Sequence, residues 1–125
     1  MLDTSLVGKK ILYVEDDEPS QYLMGSILKE VGCSLVICPD GEDALKRMRT
    51  EKFDFVFMDI RMSKMNGYET SRAIRQTDKN IPIVALTAHV MEWVPIKCRD
   101  AGMNGFMPKP CTIKDIEEEL RRWLP

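Results

Sequence analysis

The chain has 125 residues, 44% hydrophobic and 30% charged, with 20 acidic against 18 basic side chains and a net charge of −2. That size suits one domain with a single sizeable core. The charge balance makes no case for nucleic-acid binding, and no apolar run approaches the ~20 residues that a membrane helix needs.

Residues 9–14 (KKILYV) predict a first strand, running into Glu15-Asp16-Asp17. Pro19 opens a helix that extends to about Val31 and stops at Gly32. At helical spacing Leu23, Met24, Ile27, Leu28 and Val31 share one arc and are expected to face the core. The opposite arc carries Tyr22, Gly25, Ser26 and Lys29. A mid-helix glycine costs ~1 kcal/mol relative to alanine, so this face reads either as a tolerated surface or as a docking face for another helix. Residues 34–38 (SLVIC) predict a second strand, and Asp40 caps a second helix that buries Ala44, Leu45 and Met48. The run at 53–59 (FDFVFMD) is the third strand, apolar over most of its length and closed by a carboxylate. Asn66, with Glu69 three residues on, forms a capping box for a third helix whose inner side holds Tyr68, Ser71 and Ile74. Residues 82–86 (PIVAL) are a fourth strand ending in Thr87-Ala88, and a fourth helix starts near Val94 and ends before Gly102. A short fifth strand at 105–107 leads into Lys109-Pro110. Thr112 with Asp115 caps the last helix, whose Ile113, Ile116, Leu120 and Trp123 or Leu124 face inward.

Strands alternating with helices, with continuously apolar interior strands, imply a parallel sheet covered on both faces, an α/β doubly wound sandwich. The four cysteines, Cys33, Cys38, Cys98 and Cys111, form no CxxC pair and have one histidine, His89, for company. A zinc site or a disulfide framework is therefore not expected, and reduced thiols in a cytosol are. No signal-peptide pattern opens the sequence.

The strand ends carry the chemistry. In an open parallel sheet ligands bind at the carboxyl ends of the strands. Here those ends hold Glu15 and Asp16, then Asp59, Thr87 and Lys109. Taken alone, Asp59 could simply cap its loop. Together, three carboxylates on one rim repel, since two unit charges ~5 Å apart cost ~3 kcal/mol at an effective dielectric of about 20. One lysine cannot neutralise them, and an all-oxygen donor set favours Mg²⁺, or Mn²⁺, over zinc. A divalent ion, a lysine, a hydroxyl and an unpaired carboxylate are parts for phosphoryl transfer to a carboxylate nucleophile. Asp59, on the central strand, is the best nucleophile candidate.

From about Lys9 to the C-terminus the chain resembles a response-regulator receiver domain of two-component signalling. The residues that carry the resemblance are 11–17 (ILYVEDD), 56–59 (VFMD) with Met62 and Gly67, 83–88 (IVALTA), and Ala101-Gly102-Met103 through Lys109-Pro110. The resemblance implies a single flavodoxin-like (βα)5 domain over residues 9–125, with residues 1–8 as an N-terminal extension and strand order 2-1-3-4-5. It also implies phosphorylation of Asp59 from a phosphohistidine of a histidine kinase or histidine phosphotransfer domain. Asp16, Asp59 and the backbone carbonyl of Arg61 would bind Mg²⁺, Glu15 would act through water, and Lys109 and Thr87 would serve the phosphoryl group. Thr87 and Phe106 would form a switch that reshapes the surface of the fourth helix, fifth strand and fifth helix, a surface open to a homodimer or an output domain. The Lys109-Pro110 bond is expected to be cis. The first helix would dock the partner through Tyr22, Gly25 and Ser26. No nucleic acid or membrane is expected as a partner of this segment. Ala85-Leu86-Thr87-Ala88, Lys97-Cys98 and Ala101-Gly102-Met103-Asn104 are most similar to receivers fused to hybrid histidine kinases, so the parent chain could be one. The domain itself would be no enzyme beyond promoting its own phosphorylation and dephosphorylation.

Several positions depart from the family pattern. Ser63 stands where proline usually follows Met62, which is expected to loosen the loop after Asp59. Asn66 replaces an aspartate, and Phe106 replaces a tyrosine, so a switch there works through packing alone. Arg61 and His89 stand two residues after Asp59 and Thr87, where they would tune the acyl phosphate's lifetime or else be ordinary solvated side chains. Two other classes share parts of the pattern. A haloacid-dehalogenase-type phosphatase also uses an aspartate nucleophile but needs a second acid where Arg61 stands. A flavodoxin-like FMN carrier needs a phosphate loop where Glu15-Asp16-Asp17 would repel it.

Overall fold

The two most apolar runs, residues 55–59 and 83–87, lie side by side in the sheet, and every residue in both is buried. The computed structural model describes residues 5–125. The elements alternate as β1 (Lys10–Val14), α1 (Glu18–Val31), β2 (Ser34–Cys38), α2 (Gly41–Thr50), β3 (Phe55–Asp59), α3 (Gly67–Thr77), β4 (Ile83–Thr87), α4 (Val94–Asp100), β5 (Gly105–Pro108) and α5 (Ile113–Trp123). All strand pairs are parallel and the order is β2-β1-β3-β4-β5, as expected.

Alternation along the strands divides the core in two. Leu12, Val14, Val56, Met58, Ile83 and Ala85 face α2, α3 and α4, which contribute Ala44, Ile74 and Cys98 among others. Ile11, Tyr13, Phe55, Phe57, Val84 and Leu86 face α1 and α5, which contribute Met24, Leu28, Ile116 and Leu120. A sheet buried on both faces cannot tolerate stray charge along its strands. Side chains with chemistry therefore collect where the strands end.

The expected capping boxes of α3 and α5 are both present, Asn66 with Glu69 and Thr112 with Asp115. Asp40 caps α2 by accepting from the Asp43 N–H. Gly32 closes α1 at φ 92°, a left-handed conformation that glycine adopts without cost. The start of α1 holds a cap not foreseen in the sequence. Asp17 accepts from the backbone N–H and the hydroxyl of Ser20 at 3.0 and 2.6 Å.

One expected core residue is misplaced. Leu23 is 49% exposed, while Met24, Ile27 and Leu28 are buried. The stripe that α1 presents to the sheet is narrower than the apolar arc, and Leu23 falls at its margin, against Lys109, Pro110 and Cys111. Of the expected extension over residues 1–8, residues 1–4 lie outside the described residues. Leu6 is buried in the core on the α1 side, and the Gly8 N–H donates to the Gly32 carbonyl.

Candidate functional site

Strand register assembles the site. Val14 pairs with Met58, so the next residues, Glu15 and Asp59, leave β1 and β3 side by side. Asp59 pairs with Leu86, one residue before Thr87, and Thr87 pairs with Pro108, one residue before Lys109. The ladder continues past the last pairs: the Ile60 N–H donates to the Leu86 carbonyl at 3.2 Å and the Lys109 N–H to the Thr87 carbonyl at 2.8 Å. Behind the site, α3 begins hard against the β3 backbone. A Cβ on Gly67 would stand 2.3 Å from the Asp59 carbonyl oxygen, so only glycine fits there.

Glu15, Asp16, Asp59, Arg61, Thr87 and Lys109 all line one cleft at this rim. Carboxylate oxygens of Glu15, Asp16 and Asp59 lie within 4.8 Å of one another. Glu15 and Asp59 are 1% and 6% exposed, whereas Asp16 is open to solvent. The Lys109 ammonium pairs closely with Glu15 Oε1 and lies 3.6 Å from Asp59 Oδ1. The peptide bond between Lys109 and Pro110 is cis, as expected.

Negative charge is in excess, and the titration of the site shows it. The Asp59 carboxyl is pushed up to about 7, first by burial and then by Glu15 beside it, against the opposing pull of Lys109. Burial alone would depress the Lys109 ammonium, but Glu15 and Asp59 outweigh it and hold it above its ordinary value. Three oxygen donors, two of them buried and short of cations, suit a hard divalent ion. The residues present therefore fit Mg²⁺.

Thr87 is buried. Its hydroxyl donates to the His89 carbonyl at 2.8 Å and accepts from the His89 N–H at 3.1 Å. His89 thus meets the site through its backbone, and its exposed side chain does not line the cleft. Arg61 is exposed but does line it. Phe106 is half-buried against the core on the α3 and α4 side, paired in register with Ala85. Tyr22 is 80% exposed, Ser26 is exposed, and Gly25 has open space around it apart from Leu35.

The loop after Asp59 is not untethered by the missing proline. The Ser63 N–H, which a proline would lack, donates to Asp16 Oδ2 at 3.2 Å. Sequence reasoning missed one further member of the site. Tyr13, buried in β1, donates its hydroxyl to Glu15 Oε1 at 2.8 Å. The signal was available, because residues two apart on a strand point the same way.

Comparison with known proteins agrees with this geometry. Residues 11–121 match the family model described as the response regulator receiver domain. The hybrid signal transduction histidine kinase L of Dictyostelium discoideum is 33% identical over 97% of this chain and 8% of that protein. Transcription factor SKN7 of Saccharomyces cerevisiae is 33% identical over 94% of this chain and 19% of that protein. The chain thus spans well under a quarter of these two relatives. Among solved structures, the receiver domain of sensor histidine kinase PA1611 from Pseudomonas aeruginosa superposes with a TM-score of 0.87. It is 31% identical, covers 94% of this chain and 98% of that one, and holds a magnesium ion in its active-site cleft. The chemotaxis protein CheY4 of Vibrio cholerae reaches a TM-score of 0.90 at 26% identity, over 94% of this chain and 100% of that one. The phosphatase and flavin-carrier readings find no support among these relatives. The chain belongs to the response regulator receiver domain family and is a receiver module of two-component phosphorelay signalling.

Proposed function

We propose that Asp59 is the phosphoacceptor. The carrying observation is its place at the end of the central strand, buried, beside Glu15 and Asp16 and within reach of Lys109. An Asp59 carboxylate oxygen attacks the phosphorus of a phosphohistidine, the P–N bond breaks, and the imidazole leaves with the electron pair. The Lys109 ammonium and the Thr87 hydroxyl then bind oxygens of the new acyl phosphate. Asp16, Asp59 and the Arg61 main-chain carbonyl would hold Mg²⁺, or Mn²⁺, with Glu15 acting through water. When bound, the ion neutralises charge that the cluster and the phosphoryl oxygens share.

Thr87 is engaged with the His89 backbone. Drawing its hydroxyl to the acyl phosphate would break both bonds and free the loop before α4, and Phe106 would repack beside it. Phosphorylation so biases two packings of the α4-β5-α5 surface, open to a homodimer or an output domain. Tyr22 and Leu23 are exposed on α1, and Leu23 lines a hollow together with Lys109 and Pro110, which supports docking of a histidine kinase or phosphotransfer domain through Tyr22, Gly25 and Ser26. On this reading the domain acts on its own phosphorylation state rather than on a separate substrate, within a larger cytosolic signalling chain such as a hybrid kinase. None of the described helices is long and apolar enough to cross a membrane.

Intact mass after incubation with acetyl phosphate and Mg²⁺ tests the assignment. Wild type should gain one phosphoryl group and Asp59→Asn none. Equal gain by both, or none by either, would contradict it.

A further inference from the structure

Tyr13 belongs to no part of the mechanism above, yet it touches the site's most buried carboxylate. It is 1% exposed, packed among apolar side chains on the α1 and α5 side of the sheet. Its hydroxyl donates to Glu15 Oε1 at 2.8 Å, and the Lys109 ammonium pairs with that same oxygen. The other oxygen, Oε2, accepts from the Asp17 N–H at 3.3 Å. The Glu15 carbonyl accepts from Gln21 Nε2 at 2.6 Å, which ties the strand end to α1.

A buried phenol needs an acceptor. That need explains why the hydroxyl has a partner, but not why the partner is the carboxylate that also holds Lys109. Lys109 lies nearer to Glu15 than to Asp59. To bind a phosphoryl group on Asp59, its ammonium must give up part of its hold on Glu15. A buried carboxylate deprived of its cation, with only the long Asp17 N–H bond left to it, is strongly unfavourable, and that penalty would keep Lys109 where it is. We infer that Tyr13 is a positioning residue whose hydroxyl holds Glu15 in place as Lys109 turns from Glu15 to the phosphoryl group on Asp59. The inference rests on the phosphoacceptor reading and deepens it. Tyr13 touches neither the phosphoryl group nor the ion and acts through Glu15.

Tyr13→Phe removes the hydroxyl and keeps the ring in its packing. Beryllofluoride, a stand-in for the phosphoryl group, is titrated at saturating Mg²⁺ into wild type, Tyr13→Phe, Glu15→Gln and the double variant, with circular dichroism confirming that each is folded. Tyr13→Phe should bind beryllofluoride ~5- to 10-fold more weakly than wild type, as expected for a lost bond to a charged acceptor. In the Glu15→Gln background the same substitution should change affinity by less than ~2-fold, because the group it acts through is gone. A purely structural role would reduce affinity equally in both backgrounds. That result, or unchanged affinity in Tyr13→Phe, would overturn the inference while leaving Asp59 as acceptor. Failure of wild type to bind beryllofluoride at all would overturn both.

Discussion

The two ends of this sheet carry similar residues and treat them differently. At the end where the strands begin, exposed Asp54 accepts the Lys10 N–H at 2.8 Å, and the partly exposed Lys10 and Glu51 side chains pair at 3.0 Å. At the end where they finish, Glu15 and Asp59 are buried, Asp16 joins them, and Lys109 is the one ammonium paired with them among the described residues. Both aspartates sit beside the same strand, five positions apart. Asp54 is exposed and accepts one backbone N–H, a contact that adds about 1 kcal/mol at most. Asp59 is in an unmatched cluster that folding alone would not favour. A chain that keeps such a cluster at one end and avoids it at the other is holding negative charge for a ligand.

Removing each end's lysine sharpens the contrast most. Lys109→Ala strips the buried Glu15 of its ion pair and should cost ~3 kcal/mol in urea unfolding. Lys10→Ala breaks a partly exposed pair and should cost no more than ~1 kcal/mol. Equal losses would mean that the rim is not the special end. Lys109→Ala should also weaken the phosphoryl-dependent change in the α4-β5-α5 surface, which Lys10→Ala leaves intact.

The next effect is a pH dependence confined to the rim. Burial and the neighbouring Glu15 push the Asp59 carboxyl up to about 7 in the folded protein, from an ordinary value of 3.8. Between those values the unfolded chain releases its proton while the folded one still holds it. Without metal, stability from this group is therefore full below about pH 4 and is lost as the pH rises through about 7. Thermal melts in a chelator should show wild type losing more Tm from pH 5 to pH 8 than Asp59→Asn does, and Mg²⁺ should restore wild type at pH 8. A larger loss in Asp59→Asn would reverse the sign and contradict the electrostatics.

The smallest effect separates two residues at the rim itself. Arg61 lines the cleft, while the His89 side chain does not. Arg61→Ala should change the dephosphorylation rate a few-fold, and His89→Ala should leave it near wild type. The opposite ranking would place the histidine, not the arginine, over the phosphoryl group.

The sequence made different parts of this molecule legible for different physical reasons. Caps were readable because they are local. Asn66 with Glu69 and Thr112 with Asp115 need three residues' spacing and nothing else. The convergence of Glu15, Asp59, Thr87 and Lys109 was readable because parallel strands share a direction. Leu23 was not, since helical periodicity gives the centre of a buried stripe and leaves its width to whatever packs there. Asp17 reads as the residue that follows the acidic pair, and its role as a cap rests on its bonds to Ser20. Ser63 read as a loss of stiffness, because its backbone bond to Asp16 spans 47 positions of sequence. Tyr13 read as core and is core. Only its hydroxyl belongs to the site, and a hydrophobic pattern does not reveal where a hydroxyl points.

Whether the excess charge at the rim serves to make Asp59 a phosphoacceptor is decided by borohydride reduction of the phosphorylated protein followed by peptide mapping. Reduction of an acyl phosphate converts an aspartate to homoserine, so wild type should show homoserine at position 59 and at no other acid. Homoserine at position 16 or 54, or none despite a bound phosphoryl group, would contradict the account.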